Sequence, residues 1–323
     1  MKPMLLLVLA LLQAGAVPAP PAADEAVILI PYREIATDGS YCDWGNGHCG
    51  VTGRALIMKD LTIEVFHKIT QQEAADEGRR RLVKHLAGLR IDSGSRLEDR
   101  SELITALTKQ LDALPPEETD TSRAMFEARL KLPLRGQDRL MSLVLPAARA
   151  VYSGTDATVP AAAEAQTGNS EPRFTGLIVD ARHLVARNTR PVPAILPRVL
   201  DAQGGVLYSS ASVDPLYGGE MGVAAYMQRI HPHRIAPELI RHRPREGGRP
   251  LTVKAVSTAG DARCDLVVSD EDASLIREAA LTVVLSEARV IVLMPPPPSP
   301  EATPVRRRAP QPAGAATPTK DRS

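Results

Sequence analysis

The side chains best suited to chemistry gather in one short stretch, Tyr41 to Gly53, which reads YCDWGNGHCGVTG. It holds the chain's one tryptophan, Trp44, two of its three cysteines, Cys42 and Cys49, and His48. Two sulfurs with an imidazole are the beginnings of a zinc site; two sulfurs alone are a redox pair or a staple. Structural zinc takes four ligands with closely paired cysteines, and the spacing from Cys42 to Cys49 does not fit that pattern. A hairpin fits better. If Trp44 to Gly47 forms a four-residue loop, positions 42 and 49 face each other as a non-hydrogen-bonded pair. Their Cα atoms then lie about 4.5 Å apart, within disulfide range. A Cys42–Cys49 disulfide is the expected state, with free thiols and a metal site as alternatives. Cys264 is left over and reads as a small buried hydrophobe.

The other candidates carry less. His231 and His233 flank Pro232 and, with His242, form a weak metal cluster. Proline favours a loop there, and surface histidines are the simpler reading; the sharper one is a metal-dependent hydrolase. The acidic run Ser269-Asp270-Glu271-Asp272 lacks the loop pattern of a calcium site. It reads as a helix start, with Ser269 as N-cap and Asp272 at N3. Asp92 and Asp180 sit beside apolar runs, but nothing pairs them as acid and base. There is no nucleophile elbow, no HExxH and no Walker loop. No catalytic residue and no cofactor are expected.

Composition bounds the partners. The formal net charge is +1 and aromatics make up 3% of the 323 residues. Neither the field nor the stacking faces that gather nucleic acid are present. Residues 1–16 read as a signal peptide: Lys2, the apolar core Met4 to Leu12, and an Ala-x-Ala site ending at Ala16. That core is far below the roughly 20 residues of a transmembrane helix. A periplasmic or secreted protein is expected, with no cysteine after the cleavage site to carry a lipid.

Stepping along the chain, residues 17–25 form a Pro/Ala leader and residues 26–150 an N-terminal domain. Within it, Ala26 to Ile35 is a strand interrupted by Pro31, which belongs at an edge or bulge. Val51 to Met58 is a second strand. Leu61 to Leu89 is helical in period, weakened at Gly78, with Arg79, Arg80 and Arg81 as a solvated face. Ser101 to Leu114 is another helix, Ala128 to Leu134 a strand, and Leu140 to Leu145 an element ending before Pro146. Residues 151–173 have a linker's composition. Residues 174–294 form a second domain: strands at Thr175 to Asp180, Leu251 to Val256, Leu266 to Val268 and Arg289 to Met294, a hairpin around Asp201 to Gly205, and helices at Gly222 to Ile230 and Asp270 to Leu285. The expected class is α+β: two small domains with mixed or antiparallel sheets and helices packed on one face. Residues 295–323, rich in proline, are expected to form a disordered tail.

Two sets of motifs resemble known proteins. Asp43-Trp44-Gly45-Asn46-Gly47 with Thr52-Gly53 resembles the opening of the flagellum-associated small outer-membrane lipoproteins, relatives of FlgP and FlgT. Ala74-Ala75, Leu82, Gly88 to Ser93 and Leu130 to Gly136 are similar to later segments of that family. Thr175 to Arg182, Pro197 to Asp201 and Val268 to Ala273 resemble a domain that follows in uncharacterised exported members. The resemblance implies structural roles for Asp43, Trp44, Gly47, Gly53, Asp92, Gly176, Asp180, Ser269 and Asp272. It also implies a structural or assembly protein with envelope or flagellar partners. A cell-wall or ligand-binding module, touching peptidoglycan through the tail, is the alternative. The family's lipid-bearing N-terminal cysteine is missing here, and Cys42 and Cys49 are not part of its pattern.

Overall fold

The computed structural model describes residues 28–56, 63–122, 125–137, 139–152, 174–186, 188–230, 250–278 and 282–297. The signal peptide, the leader, nearly all of the linker, nearly all of the tail, and His231, His233 and His242 lie outside the described residues.

Strand β1 (Ile28–Pro31) and strand β2 (Arg33–Ile35) are separated by Tyr32 alone, and they belong to different sheets. The smaller sheet also holds β3 (Tyr41–Asp43), β4 (His48–Leu56), β5 (Glu118–Ser122) and β6 (Met125–Pro133). Its order is β2-β3-β4-β6-β5, antiparallel throughout. Along β6, Phe126, Ala128, Leu130 and Leu132 are buried while the residues between them are not, the period of two that places one face on a core. Strand β5, ETDTS, is too polar to be read as a strand from sequence, yet it pairs along β6.

Helix α1 (Ile63–Ala87) lies across β4 and β6, and it is continuous. Gly78 does not break it, because the glycine is where the helix backbone touches the sheet. A Cβ on Gly53 of β4 would stand 2.0 Å from Ala74 O and 2.6 Å from Gly78 N. The small buried residues Ala74, Ala75, Gly78, Gly53 and Ala128 permit that approach. Helix α2 (Ser101–Asp112) buries Leu103, Leu107 and Leu111, four residues apart. Of the expected solvated arginine face, Arg80 is exposed, while Arg79 and Arg81 act as braces. Arg79 donates to Leu111 O (2.9 Å) and Leu114 O (3.0 Å), satisfying carbonyls at the end of α2, where a cation is favoured. Arg81 donates to Thr52 O (2.9 Å) and Asp38 O.

Helix α3 (Leu140–Tyr152) runs through Pro146 rather than stopping before it. Proline removes one amide, and burial of Leu140, Met141, Val144 and Leu145 outweighs that loss.

The larger sheet is built from β7 (Leu177–Asp180), β8 (Val199–Leu200), β9 (Val206–Tyr208), β10 (Ala225–Ile230), β11 (Leu251–Ala259), β12 (Asp265–Val268) and β13 (Val290–Leu293), with β1 at one edge. The order is β1-β10-β13-β7-β11-β12-β8-β9. Strands β10, β13, β7 and β11 are parallel neighbours, and β13, VIVL, is buried along its length as a central parallel strand should be. Strands β8 and β9 form the expected hairpin. Asp201 fixes its loop by accepting from Gln203 N (3.1 Å) and Gly205 N (2.6 Å), and it pairs with Arg277.

One expectation for this half is corrected. The segment 222–230 is not a helix: Ala225 to Ile230 is β10, held between β1 and β13, and the apolar run Val223 to Met227 that leads into it is buried. The helix lies just before it, α4 (Pro215–Met221), with Asp214 accepting from Leu216 N, proline at its start and Gly222 at φ 73° after it. Within the span 270–285 expected to be helical, helix is described as α5 (Asp270–Glu278) and α6 (Thr282–Ser286), and residues 279–281 lie outside the described residues. The mixed and antiparallel sheets with their helices make the fold α+β.

Strand β1, expected in the first domain, pairs with β10 of the second, with Pro31 on an edge strand. One hydrophobic core runs from Tyr32, Trp44 and Leu130 through Leu145 to Val179 and Val292. The two sheets are therefore joined by shared packing as well as by the chain.

Candidate functional site

The hairpin β3–β4 closes as its spacing predicts. Cys42 and Cys49 are register partners, disulfide-bonded and buried, with Cα atoms 4.1 Å apart. The bond crosslinks a small loop, a contribution of about 2 to 3 kcal/mol by loop-closure entropy. Asp43 shapes the turn: its carboxylate accepts from Asn46 N (2.9 Å), Asn46 Nδ2 (2.9 Å) and Arg33 Nη2 (3.0 Å). His48 adjoins Cys49 on β4, and neighbours on a strand point to opposite faces, so it does not share the sulfurs' side. Its ring meets Tyr41 edge-on at 5.8 Å, and its Nε2 lies 4.0 Å from Asp43. The imidazole beside the sulfurs comes from α1. His85, Cys42 and Cys49 offer donor atoms that all lie within 4.8 Å of one another.

From the hairpin tip the chain meets the second half. The Trp44 indole stands edge-on to Tyr226 at 5.8 Å and donates to Glu34 Oε2 at 3.2 Å. Tyr32 donates to Glu34 Oε1 at 3.3 Å. Burial pushes the Glu34 carboxyl above its ordinary range, against the bonds from Trp44 and Tyr32 and the charge of Arg190. Tyr226 donates to Ala194 O and accepts from Ala194 N, both at 3.0 Å. Arg135 donates to Trp44 O (2.9 Å) and Gly45 O (3.1 Å), and reaches Ala224 O at 3.5 Å. Its guanidinium lies over Gly47, where a Cβ would come within 2.4 Å of Nε. Gly47 also has φ 69°, so the position demands glycine twice over.

Trp44, Leu134, Met141, Ile195 and Tyr226, with Arg135, line a small cleft of about 20 Å³ at this seam. That is room for a water molecule, far below ligand-pocket sizes. The guanidinium that borders it is engaged with backbone carbonyls on both sides. The seam's polar groups thus act as ties between the halves.

A second tie lies along Arg90 to Ser95. Ile195 N and Leu196 N donate to Arg90 O (2.9 Å) and Ile91 O (2.7 Å). Asp92 holds the turn by accepting from Gly94 N (2.8 Å), Ser95 N (2.8 Å) and Ser95 Oγ (3.0 Å). Arg198 donates to Ser93 Oγ (3.2 Å) and to the buried Asp265 (2.6 Å). The sequence drew attention to Asp92 but not to the Arg198–Asp265 pair, whose partners lie far apart in the chain.

The remaining motif residues are spread through the second half. Gly176 O accepts from Leu251 N at 2.8 Å. Asp180 accepts from Arg182 Nε (2.8 Å) and Nη2 (2.5 Å); burial raises its carboxyl, and the Arg182 hydrogen bonds and charge bring it below the ordinary value. Ser269 Oγ accepts from Asp272 N (3.1 Å), as an N-cap does. Asp272 does not complete the box; its carboxylate accepts from Lys254 N of β11 at 3.2 Å. Cys264 is a buried free thiol, pushed up to about 12 chiefly by burial, with Asp265 adding to it.

His48 yields a pH prediction. Burial depresses its pKa to about 4, with Asp43 opposing and Lys131, Arg33 and Arg135 adding to the depression. Between pH 6.5 and 4 the unfolded chain binds a proton the folded one does not, so stability falls with falling pH, by up to about 3 kcal/mol. Glu34, with a raised folded pKa, contributes in the opposite sense as pH falls through that folded value. Urea midpoints across this range are expected to drop for the wild type and to be flatter for His48→Gln. Parallel curves would refute the assignment.

Comparison with known proteins places one part of the chain. Residues 176–296 match a family described as Treponema pallidum Tp0624, second domain. That span starts just before β7 and ends just after β13, so it takes in the larger sheet without β1. No curated protein matches the chain.

Proposed function

We propose that this protein is an exported, non-enzymatic component of the bacterial cell envelope, acting through protein–protein contacts near a flagellar basal body or a related assembly. The observation that carries the reading is the use made of the polar side chains. Arg79, Arg81, Arg135 and Arg198 tie secondary elements and the two halves together, and Asp43, Asp92 and Asp201 hold turns. This is the economy of a scaffold. The disulfide suits an oxidising compartment and agrees with the signal-peptide reading of residues 1–16. The Asp43-Trp44-Gly45-Asn46-Gly47 resemblance suggests the flagellar setting, and residues 176–296 form a second module that matches a described family. Exposed apolar residues offer surface for contacts: Ile35 on edge strand β2, Leu56 at the end of β4, and Leu216 with Tyr217 on α4.

Cross-linking in the native envelope followed by affinity capture tests it. The expected result is one protein partner recovered in stoichiometric amount, with deletion of the gene altering swimming or envelope integrity. Capture by purified sacculi that disappears without residues 295–323 would replace the reading with a wall-binding module. Metal-dependent hydrolysis lost on replacing His231 and His233 would replace it with an enzyme.

A further inference from the structure

We propose that reduction of the Cys42–Cys49 disulfide uncovers a metal site, in which His85 joins the two sulfurs to hold a soft divalent cation of the zinc class. The inference is independent of the assembly role. Three observations carry it. The donor atoms of Cys42, Cys49 and His85 already lie within 4.8 Å of one another. A tetrahedral zinc with bonds of about 2.3 Å to sulfur and about 2.0 Å to nitrogen needs its donors about 3.5 Å apart, so small side-chain rotations suffice. His85 Nε2 is buried and has no hydrogen-bond partner, an orphan lone pair that a cation would satisfy. The three residues are fixed by different elements: register across β3 and β4 holds the sulfurs on one face, and α1 lays the imidazole over it.

The surroundings fit. The sulfurs are almost fully buried while His85 is half-buried, and the ring lies within the electrostatic reach of Asp38, which pairs with Arg81. Three protein donors leave one position for water. A dithiol gives two electrons and two protons to the disulfide and leaves as its own disulfide, whereas a phosphine gives the two electrons, takes its oxygen from water and leaves as the oxide, with water supplying the two protons; the cation then displaces the two thiol protons and binds two thiolates and the imidazole.

The test uses the full mature chain carrying Cys264→Ser, so that the remaining thiol does not contribute. After anaerobic reduction with a phosphine, cobalt(II) is added as a spectroscopic stand-in for zinc. Expected are one equivalent bound, thiolate-to-cobalt charge transfer, intense tetrahedral visible bands, and displacement by zinc. The oxidised chain is expected to bind none. His85→Gln, folded in its oxidised form by circular dichroism, is expected to bind at least about tenfold more weakly with altered visible bands. Absence of binding by the reduced chain would overturn the site. So would equal binding by His85→Gln, or loss of native circular dichroism on reduction even with one equivalent of zinc present.

Discussion

Gly53→Val is expected to cost about 4 kcal/mol, enough to leave little folded protein at physiological temperature. The clash is with backbone: a Cβ at this position of β4 meets Ala74 O at 2.0 Å, Gly78 N at 2.6 Å and Gly78 Cα at 2.8 Å. No rotamer change relieves it. Helix α1 would have to lift off the sheet, and Leu82 and Leu86, buried on that helix, would lose packing with it. Gly78→Ala makes the controlled comparison. Its new methyl meets Leu130 Cδ1 at 2.8 Å, the mobile end of a side chain, and Gly53 backbone at 3.3 Å. Alanine also gains up to about 1 kcal/mol of helix propensity. The net effect is expected within about 1 kcal/mol of zero. Denaturant midpoints read both, and near-equal costs for the two variants would contradict the close helix–sheet approach.

Arg198→Met is expected to cost about 3 to 5 kcal/mol, the range for removing one partner of a buried ion pair. Asp265 has 1% of its side chain exposed and keeps one carboxylate oxygen without a hydrogen bond even in the intact pair. Losing the guanidinium strands that charge and also releases Ser93, loosening the tie between the Arg90–Ser95 turn and the second half. Replacing both partners, Arg198→Met with Asp265→Leu, is expected to recover at least about 2 kcal/mol, because no buried charge remains. A single substitution costing less than about 1 kcal/mol, or a double variant no better than the single, would show that the pair does not join the halves.

What could be read in the sequence was local. The Cys42–Cys49 bond followed from loop length and the alternation of a strand, both decided within eight residues. The β8–β9 hairpin and the Ser269 cap were legible for the same reason, since a turn or an N-cap satisfies its own backbone within a few residues. Asp43 and Asp92 were marked by the family resemblance, and the structure shows what each does there: it holds a turn.

The sequence by itself determined the staple, the α+β class and the elements with a clear period or cap, but not β5, β10 or the full length of α3. Tertiary structure alone decided which distant elements meet. A short apolar run such as Val223 to Met227 has no period to separate strand from helix, so the neighbours β1 and β13 settled it. Only three-dimensional packing sent Ile28 to Pro31 into the second sheet and set His85, rather than the adjacent His48, beside the sulfurs. It likewise turned Arg79, Arg81 and Arg135 from an apparent solvent face and a plain turn residue into donors to backbone carbonyls. The physical reason is reach: propensity and turn chemistry act over a few residues, whereas burial and charge pairing act between whatever surfaces the fold brings together.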